Sequence, residues 1–92
     1  MSTKRVAFTV HGLVQGVNYR NFAVQRAVSD HVTGWVKNAN DGTVVGEAQG
    51  NEAQLHRFMR DLHEGPPASN VSKVEQKELD PIPGEDDFQR KR

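Results

Sequence analysis

Arg20 is the side chain whose type and setting in this sequence first suggest chemistry. It follows the stretch Gly12-Leu13-Val14-Gln15-Gly16-Val17-Asn18-Tyr19, which joins an alternating strand pattern to a helical one. A loop that ends at a helix N-terminus can turn successive backbone N–H groups toward one point, where the helix dipole also favours negative charge. An arginine in the first helical turn leans back toward that point, because helical side chains tilt toward the N-terminus. Its planar fork matches two phosphate oxygens. The pattern therefore reads as a phosphate cradle. Taken alone, it reads equally well as a tight strand-to-helix turn with a solvated arginine.

The surrounding pattern predicts the elements that must position this loop. Residues 5–11 alternate, with Val6, Phe8 and Val10 on one face and Ala7, Thr9 and His11 on the other, as in a half-buried strand. From Tyr19 to about His31, Tyr19, Phe22, Ala23 and Ala27 form an apolar stripe that Val24 and Val28 widen, while Arg20, Gln25, Arg26 and Asp30 stay polar. Two strand patterns, 33–39 and 43–49, flank Asn40-Asp41-Gly42, whose Asp-Gly pair suits a tight hairpin turn. Leu55, Phe58, Met59 and Leu62 then stand at i, i+3, i+4 and i+7 of a second helix. Asn51 and Gln54 are spaced to cap its start, and Gly65-Pro66-Pro67 ends it. Val71 to Leu79 reads as an edge strand with a polar outer face, residues 80–86 as a loop, and Phe88 to Arg92 as a short terminal edge strand blunted by its charges. The order β-α-β-β-α-β-β predicts an α+β domain of ferredoxin-like type, an antiparallel sheet with both helices on one face.

Ninety-two residues suffice for one small domain, 1–92, and not for two. Lys plus Arg and Asp plus Glu balance at 12 each, so the basic excess typical of nucleic-acid binders is missing. A local anion site needs only one or two cations and is compatible with that balance. The absence of cysteine removes disulfides, thiolate metal sites and cysteine-nucleophile phosphatase chemistry. No apolar run approaches the ~18 residues that span a bilayer, and the N-terminus lacks the pattern of a signal peptide. The expectation is a cytoplasmic monomer that engages neither membrane nor nucleic acid.

Val14-Gln15-Gly16-Val17-Asn18-Tyr19-Arg20, followed by Gly34-Trp35-Val36-Lys37-Asn38 and Asp41-Gly42, resembles the two signatures of the acylphosphatases, roughly V-Q-G-V-x-[FY]-R and G-W-V-[RK]-N-x-x-D-G. Gly65-Pro66-Pro67 with Ala68 and Val71 is similar to a third stretch of that family. The similarity runs from about Arg5 to Phe88. It implies the same βαββαβ plait and hydrolysis of the carboxyl-phosphate bond of acyl phosphates, without metal or cofactor. It also implies that Arg20 holds the phosphoryl group, with backbone N–H groups of Gln15, Gly16, Val17, Asn18, Tyr19 and Arg20 closing the cradle. Asn38 would position the attacking water, and inorganic phosphate would bind as product. Two departures are visible: Asn18 stands where many members have glycine, and Tyr19 where many have phenylalanine. Asparagine is the least costly replacement if position 18 needs a positive φ. The tyrosine hydroxyl must find a partner or water.

Such chemistry can run on few side chains. Phosphoryl transfer mainly requires an in-line oxygen and stabilisation of spread negative charge. The leaving group is a carboxylate, the conjugate base of an acid with pKa ~4, and departs without a proton. No side chain in the motif is an evident general base; the resemblance suggests that a phosphate oxygen of the substrate takes the water's proton.

Other residues invite plainer readings. Asp41 and Gly42 are turn chemistry, and Trp35 is expected in the core or a cleft wall. His11, His31, His56 and His63 lack a metal-ligand spacing and read as surface histidines. Glu85-Asp86-Asp87 reads as a solvated loop. Two competing functions remain: a non-catalytic phosphate-binding regulatory domain of the same fold, and a single-strand RNA binder. The RNA reading needs base-stacking aromatics on the first and third strands. Thr43 to Gln49 has none, and Phe8 alternates with core residues.

Overall fold

The computed structural model describes residues 2–92. The chain forms β1 (Lys4–Leu13), α1 (Tyr19–Asp30), β2 (Thr33–Asn38), β3 (Val44–Gly50), α2 (Glu52–Glu64), β4 (Asn70–Leu79) and β5 (Phe88–Arg90). The strands make one sheet in the order β4-β1-β3-β2-β5. Four strands pair antiparallel, with Phe8 opposite Gly46, Val36 opposite Gly46 and Val10 opposite Val74. This is the expected ferredoxin-like plait.

Local chemistry explains the individual elements. Asn51 Oδ1 accepts from the Gln54 backbone N–H at 2.8 Å, and Gln54 Oε1 accepts from the Asn51 N–H at 2.9 Å, so the start of α2 has a reciprocal cap. The hairpin closes with the Ala39 N–H donating to the Thr43 carbonyl, and Asp41 Oδ1 accepts from both the N–H and the hydroxyl of Thr43. Those bonds hold the Asp41 carboxyl below the usual carboxylate range. Val6, Phe8 and Val10 face the helices, and Phe58 of α2 packs edge-on between Phe8 and Phe88, with ring centroids 6.0 and 5.4 Å away. Val28 does not join this core and is exposed.

Three expectations change. β5 runs parallel to β2 rather than antiparallel, pairing Gly34 with Phe88 and Val36 with Arg90. The reason is the connection: residues 80–87 cross from one edge of the sheet to the other, and the chain re-enters at the end where β2 begins. Four strand spacings of ~4.8 Å make ~19 Å, within reach of eight residues at ~3.3 Å each. Glu85 is not solvated, because this crossing binds the helix-free face of the sheet. Its carboxylate takes the Arg5 guanidinium at 2.8 and 3.2 Å and the Thr33 hydroxyl at 2.7 Å. Arg5 is fully buried and also reaches Glu47 at 2.7 Å and Gln49 at 3.1 Å. Asp30, expected on the polar face of its helix, is buried together with Asp61 of α2.

Candidate active site

The strand directions assemble the site. β1 and β2 each pair antiparallel with β3, so they run the same way, and β5 follows β2. Their C-terminal ends therefore meet at one rim of the sheet. β1 delivers the loop 14–18 and the head of α1, β2 delivers Asn38, and β5 delivers Arg90. Alternation decides which side chains face inward. Val36 is in the core, so Asn38 two residues on shares its face, and Phe88 places Arg90 in the same way.

A cavity of about 120 Å³ at this rim is lined by Val14, Gly16, Asn18, Tyr19, Arg20, Asn21, Asn38 and Arg90. A small, polar cavity of this kind has room for a tetrahedral anion. Its charged lining groups are two guanidiniums, with no carboxylate among them. Asn18 occupies the left-handed region at φ 66 and precedes α1 without a side-chain cap, and no acidic residue stands in the first turn. The helix thus presents uncapped N–H groups and the positive end of its dipole to the cavity.

Each neighbouring side chain holds part of the frame. Gln15 Nε2 donates to the carbonyls of Ala39 and Thr43 at 2.7 and 2.9 Å, tying the loop to the hairpin next to Asn38. The Tyr19 ring is buried, and its hydroxyl donates to the Leu62 carbonyl at 2.6 Å, the partner that this hydroxyl required. Burial pushes that hydroxyl's pKa well above its usual range. Arg20 Nη1 donates to the Lys91 carbonyl at 2.9 Å, leaving its remaining N–H groups for a ligand. Asn38 Oδ1 is buried and has no hydrogen-bond partner among the described residues. An unmet amide oxygen of this kind costs about 1–3 kcal/mol and marks a place for a ligand or a water.

Of the expected residues, Gly16, Asn18, Tyr19, Arg20 and Asn38 line the one cavity. The Gln15 side chain turns to the hairpin, and Val17 packs against the core. Arg90 and the Lys91 carbonyl were not anticipated. The signal was present in Phe88-Gln89-Arg90, since an inward Phe88 implies an inward Arg90. Trp35 forms the wall of a separate cleft on the helix-free face, below the ammonium groups of Lys91 and Lys37 at 4.9 and 5.8 Å from its ring. His11 bonds Glu75 across the sheet at 2.6 Å, while His31, His56 and His63 are exposed. Among the described residues, no group of three or more His, Cys, Asp and Glu could hold a metal. None of the helices is long and apolar enough to cross a membrane.

The acylphosphatase family model matches residues 6–90. A curated acylphosphatase of Chlorobaculum tepidum is 40% identical over 80 residues, 87% of each chain. The crystal structure of acylphosphatase from Bacillus subtilis superposes with a TM-score of 0.92 at 32% identity, covering 97% of this chain and 99% of the other. An acylphosphatase structure from Coxiella burnetii gives 0.89 at 34% identity, covering 97% and 93%. By sequence and by shape, the chain belongs to the acylphosphatase family and is an acylphosphatase, hydrolysing the carboxyl-phosphate bond of acyl phosphates.

Proposed function

We propose that Arg20 and the uncapped N–H groups of residues 15–20 hold the phosphoryl group of a small acyl phosphate, and that Asn38 orients the attacking water. The observation that carries this reading is Asn38, whose buried amide oxygen has no partner among the described residues, in the lining of the same small cavity as Arg20. A water that donates one O–H to that oxygen is held beside the phosphorus with a lone pair free to attack, and a phosphoryl oxygen of the substrate takes the proton it loses. The guanidinium and the helix N-terminus stabilise charge on the phosphoryl oxygens as the carboxylate departs. That leaving group needs no acid, and the cavity lining supplies none. The released phosphate carries the same oxygens and competes for the same cradle. A non-catalytic anion-binding domain would not need the Asn38 amide, which favours the hydrolytic reading.

We also take the protein to act as a cytoplasmic monomer without nucleic-acid partners. The cysteine-free composition and balanced charge support that view, as do the lysines and glutamates along the exposed edge of β4.

Hydrolysis of benzoyl phosphate, followed optically, tests the roles. Arg20→Gln is expected to raise KM and abolish most turnover. Asn38→Ala is expected to lower kcat by ~10²–10³ while inorganic phosphate still inhibits with nearly its original constant. Wild-type turnover in the alanine variant would remove Asn38 from the mechanism.

A further inference from the structure

We propose that Arg90 is a second substrate-binding cation of this site, held in place by a relay of amides running from Asn18 through Asn21. The proposal rests on the phosphoryl-site reading above and extends it to Asn21 and Arg90, which the motif does not contain.

The relay is visible in its hydrogen bonds. Arg90 Nη1 donates to Asn21 Oδ1 at 3.1 Å, and Asn21 Nδ2 donates to Asn18 Oδ1 at 2.7 Å. The polarity is self-consistent. Because the Asn21 amide gives its NH₂ end to Asn18, its oxygen end must face Arg90, where it meets a permanent donor. Asn18 sits at φ 66 and ψ 24 and contributes no cap to α1, so its side-chain oxygen is committed to Asn21. Glycine would adopt this backbone without strain. What asparagine adds at this position is the acceptor that starts the relay.

Arg90 is also fixed from behind. The three-residue strand β5 is bracketed by the Gly34 N–H donating to the Asp87 carbonyl at 2.9 Å and the Lys91 N–H donating to the Val36 carbonyl at 2.7 Å. Lys91 then accepts from Arg20. The two guanidiniums are thus attached to one short stretch of backbone and line the same cavity. Among the described residues Arg90 makes no ion pair, and Arg20 makes none either. Two like charges that share a small site without a carboxylate repel each other, and a doubly charged phosphoryl group relieves that repulsion. Arg20 balances one negative charge, and Arg90 balances the other.

The test measures KM for benzoyl phosphate and the inhibition constant of inorganic phosphate in Arg90→Ala, Asn18→Gly and the double variant, at low and moderate salt. Arg90 and Asn18 are exposed, so thermal melting should stay near that of the unaltered protein. Arg90→Ala is expected to raise both constants about tenfold, the size of one partly exposed charge-assisted hydrogen bond. Turnover at saturation should change far less, and the salt dependence of phosphate inhibition should flatten. Asn18→Gly is expected to raise both constants about two- to threefold, and this effect should vanish in the Arg90→Ala background. Unchanged phosphate inhibition in Arg90→Ala overturns the second cation. The same Asn18→Gly factor in both backgrounds overturns the relay. Neither result touches Arg20: failure of the phosphoryl-site reading would appear instead as undiminished phosphate inhibition in Arg20→Gln.

Discussion

Replacing Asp30 by asparagine should make this protein more stable at neutral pH and leave its catalysis unaltered. Asp30 ends α1 and meets Asp61 of α2, and both are buried. Its Oδ2 has no hydrogen-bond partner among the described residues, and Arg57 Nε stands 4.0 Å from Oδ1, too far for a hydrogen bond. Loss of solvation, with added hydrogen bonding and repulsion from Asp61, pushes the Asp30 carboxyl up from 3.8 to about 6, against the pull of Arg57 and Arg26. Its position at a helix C-terminus also disfavours negative charge. The sign follows from the raised value. Below pH ~4 the folded and unfolded chains both hold the proton, and there is no penalty. As pH rises toward 6, the unfolded chain releases it first, and folding loses stability until the native carboxyl also ionises. The full interval sets a ceiling of ~3 kcal/mol. Water that still reaches this near-surface carboxyl discounts the ceiling to ~1–2 kcal/mol.

The Asp30→Asn side chain would keep the shape, shed the charge and donate an N–H to Asp61. Urea unfolding from pH 4 to 8, followed by fluorescence of the single tryptophan, Trp35, measures the difference. The variant should gain ~1–2 kcal/mol at pH 8 and ~5–10 °C in Tm, with the gain fading to nothing near pH 4. A gain independent of pH, or a loss at pH 8, would refute the argument. Ten residues of helix separate Asp30 from Arg20, ~15 Å at ~1.5 Å per residue, so kcat should not move.

Other perturbations probe the frame around the site. Tyr19→Phe removes the donor to the Leu62 carbonyl and should lower stability by ~1–1.5 kcal/mol in urea, with turnover nearly intact because the ring still walls the cavity. Gly34→Ala places a Cβ 1.9 Å from the Glu47 carbonyl oxygen at φ +141. Overpacking and backbone strain together should cost ~3–5 kcal/mol in thermal or urea melts. Glu85→Ala leaves buried Arg5 with only Glu47 and Gln49 and should cost ~2–3 kcal/mol at pH 7. Desolvation opposes ionisation of Glu85, but its bonds to Arg5 and Thr33 prevail and hold its carboxyl below the usual range. The cost should therefore shrink as the medium is acidified through that lowered value, which urea titrations at several pH values would show.

The elements that rest on neighbouring residues could be read directly along the chain. The reciprocal cap of Asn51 and Gln54, the Asp41-Gly42 turn, and the inward row Phe8 and Val10 all depend on contacts within a few positions or on simple periodicity. The loop before Arg20 belongs to the same class, because a helix N-terminus is a local feature. Asn38 was found through its surrounding motif, and the resemblance supplied its role. Asp30 defeated the reading for the opposite reason: helical periodicity assigns a polar face but does not say that a second carboxylate will pack against it.

Contacts between distant segments were beyond that kind of reading. Arg5 and Glu85 lie 80 positions apart, Arg90 and Asn21 lie 69 apart, and Arg20 meets Lys91 across 71. Nothing in the composition of either partner names the other. The direction of β5 is the clearest case. Its residues suit an edge strand in either sense, and the path of residues 80–87 across the sheet sets which end enters first. That path carries Arg90 to the rim where Arg20 and Asn38 stand instead of the opposite end. Short-range order is encoded in the covalent neighbours of each residue, whereas the second cation owes its place to chain crossing, which arises only when the sheet closes.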